Sequence, residues 1–215
     1  MNAWSLRNRR AGTQVDSQVW NTPWKVWNRL WRWLAYPRVR LLFAMNGIAW
    51  GRRWRFYGVP IIQKHRRSHM TFGDGLQLRS TARSNPLGSN HPVVLVTWQA
   101  ASHLEVGADF AMTGGSVCAA DRIVIGSHVT VGANAVITDT DFHPVDYEQR
   151  KSRPSGGPTA TVTIEDDVFI GMNSLILKGV SIGRGSVIGA GSVVTTDVPP
   201  GVIVAGNPAR VVRKL

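Results

Sequence analysis

Between Ile164 and Val194 an aliphatic residue returns at every sixth position: Ile164, Ile170, Ile176, Ile182, Ile188 and Val194. The next residue is small or acidic in most hexads (Glu165, Gly171, Gly183, Gly189), and the fifth place holds Val168, Ser174, Val180, Ser186 and Ser192, all small or β-branched. A hexapeptide period predicts a parallel β-helix, in which each repeat is one short strand plus a turn that cannot bury its apolar face alone. Three hexads make one coil of roughly eighteen residues, with the period-six aliphatic inward, the fifth residue filling the corner, and Gly or Asn supplying the tight backbone there. Upstream, Val106, Met112 and Cys118 keep the same step, as do Ile125, Val131 and Ile137 after a one-residue slip. The slot after Ile137 falls on His143. A histidine where the repeat calls for an aliphatic is the largest local violation in the solenoid, and such violations concentrate at functional sites.

The pattern also sets the segment boundaries. A loose, irregular first coil is expected between Ile61 and Pro92, a turn-rich stretch at Asn85 to Pro92, and an apolar strand at Val93 to Val96. Pro144 to Ala160, with three prolines and two glycines, cannot hold the register and must loop out before the solenoid resumes near Thr161 or Val162. Residues 1–67 therefore form an N-terminal extension, 68–199 the solenoid with a loop at 144–160, and 200–215 a tail. In the extension, Trp20, Trp24, Trp27, Trp31 and Leu34 step by four and three, which places them on one face of a helix with Lys25, Arg29 and Arg32 largely off it. Pro37 should end that helix. The fold class is thus an all-β solenoid with a helical, basic N-terminal extension.

Charge is distributed unevenly. The chain carries a net charge of +12, yet residues 1–67 hold fourteen Lys and Arg against the single acid Asp16, so the solenoid is close to neutral. Eight of the nine tryptophans share the basic segment. A tryptophan face opposed by Lys and Arg suits a helix lying in a membrane interface, held by apolar burial and anionic headgroups. The longest uncharged run there, Leu41 to Trp50, is about half of the roughly 20 residues a spanning helix needs, so the segment should not span. Its other use would be to cap the open end of the solenoid. No nucleic-acid motif accompanies the charge, which excludes nucleic acid as the expected partner. The single cysteine, Cys118, rules out an intramolecular disulfide and reads as a small core hydrophobe. No secretory apolar region follows Arg7, Arg9 and Arg10, so a cytoplasmic location is expected, with peripheral contact to the inner leaflet.

Taken together, Ile137-Thr-Asp-Thr-Asp-Phe-His143-Pro144, the hexads from Ile164 and the tail Pro199-Pro-Gly-Val-Ile-Val-Ala-Gly-Asn-Pro-Ala-Arg210 resemble the hexapeptide-repeat acetyltransferases, most closely those that O-acetylate sugars and polysaccharides. The resemblance covers roughly residues 68 to 215. It implies a left-handed β-helix, a homotrimer, and acetyl-CoA as acetyl donor in the groove between neighbouring subunits. The hand comes from the resemblance alone, since parallel β crossovers are otherwise right-handed. It further implies that His143 is the general base, removing the proton of an acceptor hydroxyl as that oxygen attacks the thioester carbonyl. Asp141, Asp139 or a backbone carbonyl would orient its ring. Ala190, Thr195 and Thr196 match the family's pantetheine-side positions and Arg210 a position near the nucleotide phosphates. Met172 stands where relatives have a groove serine, and Thr196 where they have lysine. Met112 and Thr113 replace the acceptor-binding asparagine of the galactoside enzymes, which argues against a simple galactoside. The acceptor is a sugar or polysaccharide precursor, and no metal is expected.

Three other readings compete. A zinc enzyme on the same fold would need three clustered histidines, but only His128 and His143 fall in the regular coils, and the remaining His65, His69, His91 and His103 lie in surface or turn contexts. A non-catalytic solenoid recruited to membranes leaves the His143 violation unexplained. An N-acetyltransferase acting on an amino sugar would use the same base.

Overall fold

The computed structural model describes residues 21–215. Trp4 and the first member of the tryptophan face, Trp20, lie outside the described residues. From Arg55 the chain winds through three parallel sheets in rotation, each strand pairing with the one three places later, until the last turn, where the third sheet gains only the Ile182 to Val198 bridge and Val187–Ile188 pairs with Val202–Gly206. The first sheet stacks Arg55–Tyr57, Gln77–Arg79, Ala111–Thr113, Thr130–Val131, Phe169–Ile170, Val187–Ile188 and Val202–Gly206, and the antiparallel tail strand Ala209–Lys214 closes it. The second holds Ile61–Lys64, Val94–Thr97, Ser116–Ala119, Val136–Thr138, Leu175–Ile176 and Val193–Val194, and the third His69–Phe72, His103–Val106, Arg122–Ile125, Val162–Ile164 and Ser181–Ile182.

The hexad aliphatics become ladders running up the interior. On the first sheet Phe56, Leu78, Met112, Val131, Ile170, Ile188 and Val204 are register partners, and all are buried. On the second, Leu95, Val117, Ile137, Ile176 and Val194 do the same. Each fully buried Leu, Ile or Val contributes about 1.5–3 kcal/mol of transfer free energy, and because identical positions stack every coil, the core is a column rather than a centre. Corners are turned by left-handed residues that also stack: Asp109, His128, Asp167 and Gly185 at one corner, Asn134, Asn173 and Gly191 at another, all with φ between 54° and 71°.

Three expectations are corrected. The inward residue of Ser116–Ala119 is Val117, not Cys118: Gly114 and Gly115, at φ 53° and 74°, shorten that turn, and the register slip falls there. A Cβ on Gly115 would lie 2.1 Å from the Ala135 carbonyl oxygen, so only glycine makes the shortened turn. Cys118 is nonetheless buried, and burial, reinforced by the Asp139 carboxylate, pushes its thiol up to about 11. Solenoid strands begin at Arg55, earlier than the loose pattern after Ile61 suggested, because Phe56 takes the inward place on which the capping helix packs.

The helix itself, Pro23–Met45 (α1), runs through Pro37 instead of ending there. Proline removes one helical hydrogen bond, but a second apolar stripe beyond it, Ala35, Val39 and Phe43 at spacing four, is buried on the first coil and holds the helix together across the defect. Phe43 meets Trp54 at 5.3 Å, Phe56 at 5.5 Å and Trp50 at 5.8 Å, so capping is done by Phe43 with the two tryptophans that follow the helix. The tryptophans on α1 take no part in it. Trp24, Trp27, Trp31 and Trp33 remain 53–65% exposed.

Candidate functional site

His143 lies outside the coil, not in an inward slot, because the chain leaves the second sheet at Asp139 and rejoins the coil only at Val162, on the third sheet. The intervening segment is folded. Its outgoing and returning arms pair, through the antiparallel bridge Thr140 to Thr159, the Asp141 N–H to the Pro158 carbonyl at 3.2 Å, and the Ala160 N–H to the Asp139 carbonyl at 2.9 Å. At the tip sits a short helix, Tyr147–Ser152 (α2), whose first turn is capped by the Asp146 carboxylate accepting from the Gln149 N–H at 2.8 Å. Gly157 lets the arms close: a Cβ there would stand 2.6 Å from the His143 nitrogen.

This frame presents His143 on a braced arm. Its side chain is exposed, and Nδ1 hydrogen-bonds the Pro154 carbonyl of the opposite arm. A carbonyl can only accept, so Nδ1 carries a proton, and in the neutral imidazole Nε2 is the nitrogen left with a lone pair. Among the described residues nothing occupies Nε2. Phe142, immediately before it, has φ 60°, a conformation costly for an aromatic residue and one that marks an over-determined site.

Neither nearby carboxylate touches the ring. Asp139 is wholly buried and spends both oxygens on backbone, accepting from the N–H of Ala120 at 2.7 Å and of Asp121 at 2.8 Å. Burial pushes its carboxyl above the usual carboxylate range, while the N–H groups of Ala120, Asp121 and Arg122 pull it back. Asp141 is paired with Lys178 at 2.9 Å, one coil further along. Of the three orienting groups the sequence left open, the carbonyl is the one in place. Lys178 was missed, although it is the one lysine among residues 161–199.

By the register of the second sheet, Thr138, Leu177 and Thr195 stack, so exposed Thr195 and Thr196 lie at the corner from which the His143 loop departs, two coils or about 10 Å along the axis. Met172 and exposed Ala190 share the opposite corner of the same sheet, in successive coils. Arg210 is exposed on the tail strand, its guanidinium turned back onto the Ala209 carbonyl at 2.8 Å. The site residues thus border one face of the prism. His128 is elsewhere, between Asp109 and Asp167 at 3.7 and 3.8 Å, and among the described residues no group of three or more His, Cys, Asp or Glu side chains could hold a metal.

Residues 161–196 match the family described as the hexapeptide repeat of succinyl-transferase. The chain is 38% identical over 115 residues to the galactoside O-acetyltransferase of Escherichia coli K12, covering 53% of this chain and 55% of that protein. It is 45% identical over 89 residues to a 2,3,4,5-tetrahydropyridine-2,6-dicarboxylate N-acetyltransferase of Staphylococcus aureus, covering 41% and 32%. Among solved structures it is similar to a hexapeptide-repeat acetyltransferase of Vibrio cholerae O1 biovar eltor complexed with acetyl coenzyme A, at TM-score 0.53 and 26% identity over 84% of this chain and 77% of that one. The chain spans about half the length, or less, of these curated relatives. It shares with these proteins the hexapeptide repeat and the left-handed parallel β-helix.

Proposed function

We propose that this hexapeptide-repeat protein transfers an acetyl group from acetyl-CoA to a hydroxyl of a sugar or polysaccharide precursor. The observation that carries the reading is the imidazole of His143, exposed, fixed by the Pro154 carbonyl, and left with a free Nε2. In that role Nε2 takes the hydroxyl proton as the oxygen bonds to the thioester carbonyl carbon, and the proton then passes to the departing CoA sulfur. Thr195 and Thr196 would flank the pantetheine near the same corner, with Ala190 and Met172 at the other, and Arg210 would meet the nucleotide phosphates. Asp141, held by Lys178, would brace the loop arm, and Asp139 would anchor its root. The test is release of free CoA from acetyl-CoA in the presence of candidate sugars. Alkaline hydroxylamine then separates the two acceptor chemistries, because it cleaves an O-acetyl ester and spares an N-acetyl amide. No release with any hydroxyl or amino acceptor would favour the non-catalytic reading.

The site borders one prism face and lacks a second wall, which supports assembly into a closed trimer in which the neighbouring copy completes the groove. Light scattering should return about three times 23.6 kDa. A monomer that turns over acetyl-CoA at full rate would overturn the shared groove. No helix of the described residues is long and apolar enough to cross a membrane. The exposed tryptophans and cations of α1 support peripheral contact with the cytoplasmic leaflet, the side on which acetyl-CoA is available.

A further inference from the structure

Two adjoining cavities lie where α1 crosses the segment 79–86, and the described chain uses neither. The larger, about 680 Å³, is lined by Lys25, Arg29, Arg32, Arg79 and Arg83, with Trp24 at its rim and no carboxylate on its walls. Among the described residues none of these five cations forms an ion pair. Like charges gathered together repel one another, and among the described residues other bonds hold the arrangement. The Asn28 amide donates to the Arg83 carbonyl at 3.0 Å, tying helix to loop, while Arg79 donates to the Ser84 carbonyl and stacks 4.2 Å from the Tyr57 ring centre. The smaller cavity, about 340 Å³, shares Asn28, Tyr57, Arg83 and Ser84 with the first, and beyond these Trp31, Leu34, Ala35 and Val59 give it an apolar wall, with Arg38 and Thr81 beside it. Charge and grease therefore meet along one helix.

We infer that the paired cavities bind the phosphate head and the first carbons of a membrane amphiphile, the phosphate being a phosphomonoester or diphosphate. Five cations with no carboxylate partner among the described residues exceed what the single charge of a phosphodiester would neutralise, and guanidinium groups offer paired N–H donors to phosphate oxygens. The apolar wall of the smaller cavity, with the exposed Trp31 and Leu34, would take the chain that such a head carries. This rests on the membrane contact proposed above and adds recognition of one headgroup chemistry to it.

The experiment uses the full chain and phosphatidylcholine vesicles containing phosphatidate or phosphatidylserine at matched surface charge. Phosphatidate vesicles should bind at least tenfold more tightly. The triple substitution Lys25→Gln, Arg29→Gln, Arg83→Gln should abolish that preference, whereas Lys64→Gln, Arg66→Gln, Arg67→Gln, an equal loss of charge away from the cavities, should leave it within about twofold. Circular dichroism melts guard against a folding defect. Farnesyl diphosphate should compete, and inorganic diphosphate should compete at least tenfold less well. Equal losses in the two triples, or no headgroup preference, would overturn the cavity assignment while leaving simple anionic-surface contact standing. Binding of soluble farnesyl diphosphate without binding to any vesicle would do the reverse. Inorganic diphosphate competing as well as the amphiphile would overturn the lipid assignment.

Discussion

His143→Ala is expected to lower kcat/KM for acetyl transfer by at least two orders of magnitude, about 2.7 kcal/mol of transition-state stabilisation, with little change in thermal stability. The stability half follows from exposure. The ring is in solvent and its one bond, to the Pro154 carbonyl, leaves behind an acceptor that water can reach. The rate half follows from the tautomer, since with Nδ1 holding the proton the side chain can only act as a base through Nε2, and alanine removes that lone pair. Acetyl-CoA affinity should persist, because the residues proposed to hold the cofactor lie on the coil and not on the loop arm. Added imidazole should restore part of the lost rate, which a merely structural role for His143 would not allow. His128→Ala, on a different corner between two aspartates, should stay within about twofold of the parent. Equal rates for the His143 variant and the parent would end the assignment of the base.

How far the sequence reveals this molecule depends on the range of the interactions involved. The hexads from Ile164 to Val194 predict their ladders because a solenoid's inward positions are set by a fixed step, and nearest-neighbour stacking adds no long-range unknown. His143 stands out from the same step, although what the violation marks is the departure of the chain rather than a buried imidazole. What stays hidden is set by contacts across sequence. The group on Nδ1 is a carbonyl eleven residues away, and carbonyls leave no trace in a side-chain pattern. Likewise, α1 reads as one amphipathic face ending at a proline, yet two faces exist: the tryptophan face left in solvent, and Ala35, Val39 and Phe43, which find their partner only once the first coil is built. The proline rule was outweighed because burying a Phe among Trp50, Trp54 and Phe56 is worth more than the one hydrogen bond Pro37 removes.

Asp139 sets the second large effect, and here the loss should appear in stability. Asp139→Ala would orphan the N–H groups of Ala120 and Asp121 in a site from which water is excluded, each at about 1–3 kcal/mol, for an expected total near 3 kcal/mol. Asp139→Asn keeps one acceptor but turns an NH₂ toward an N–H, so it should cost roughly half as much. The pH dependence distinguishes this site from an ordinary salt-bridged aspartate. Burial is the leading influence and raises the folded-state carboxyl above its reference value of 3.8, so the native chain binds that proton more tightly than the unfolded chain does. The contribution is therefore fully present below pH 3.8 and declines as pH rises through the elevated folded value. Melting curves of the parent and Asp139→Asn, recorded at several pH values from 3.5 upward, should show the parent's advantage shrinking with rising pH. An advantage that instead grows across that range would mean that the backbone N–H groups outweigh burial and hold the carboxylate charged. The loop root would then act as an anion cradle whose strength depends on ionisation, and Asp139→Asn would become the more damaging of the two substitutions relative to its size.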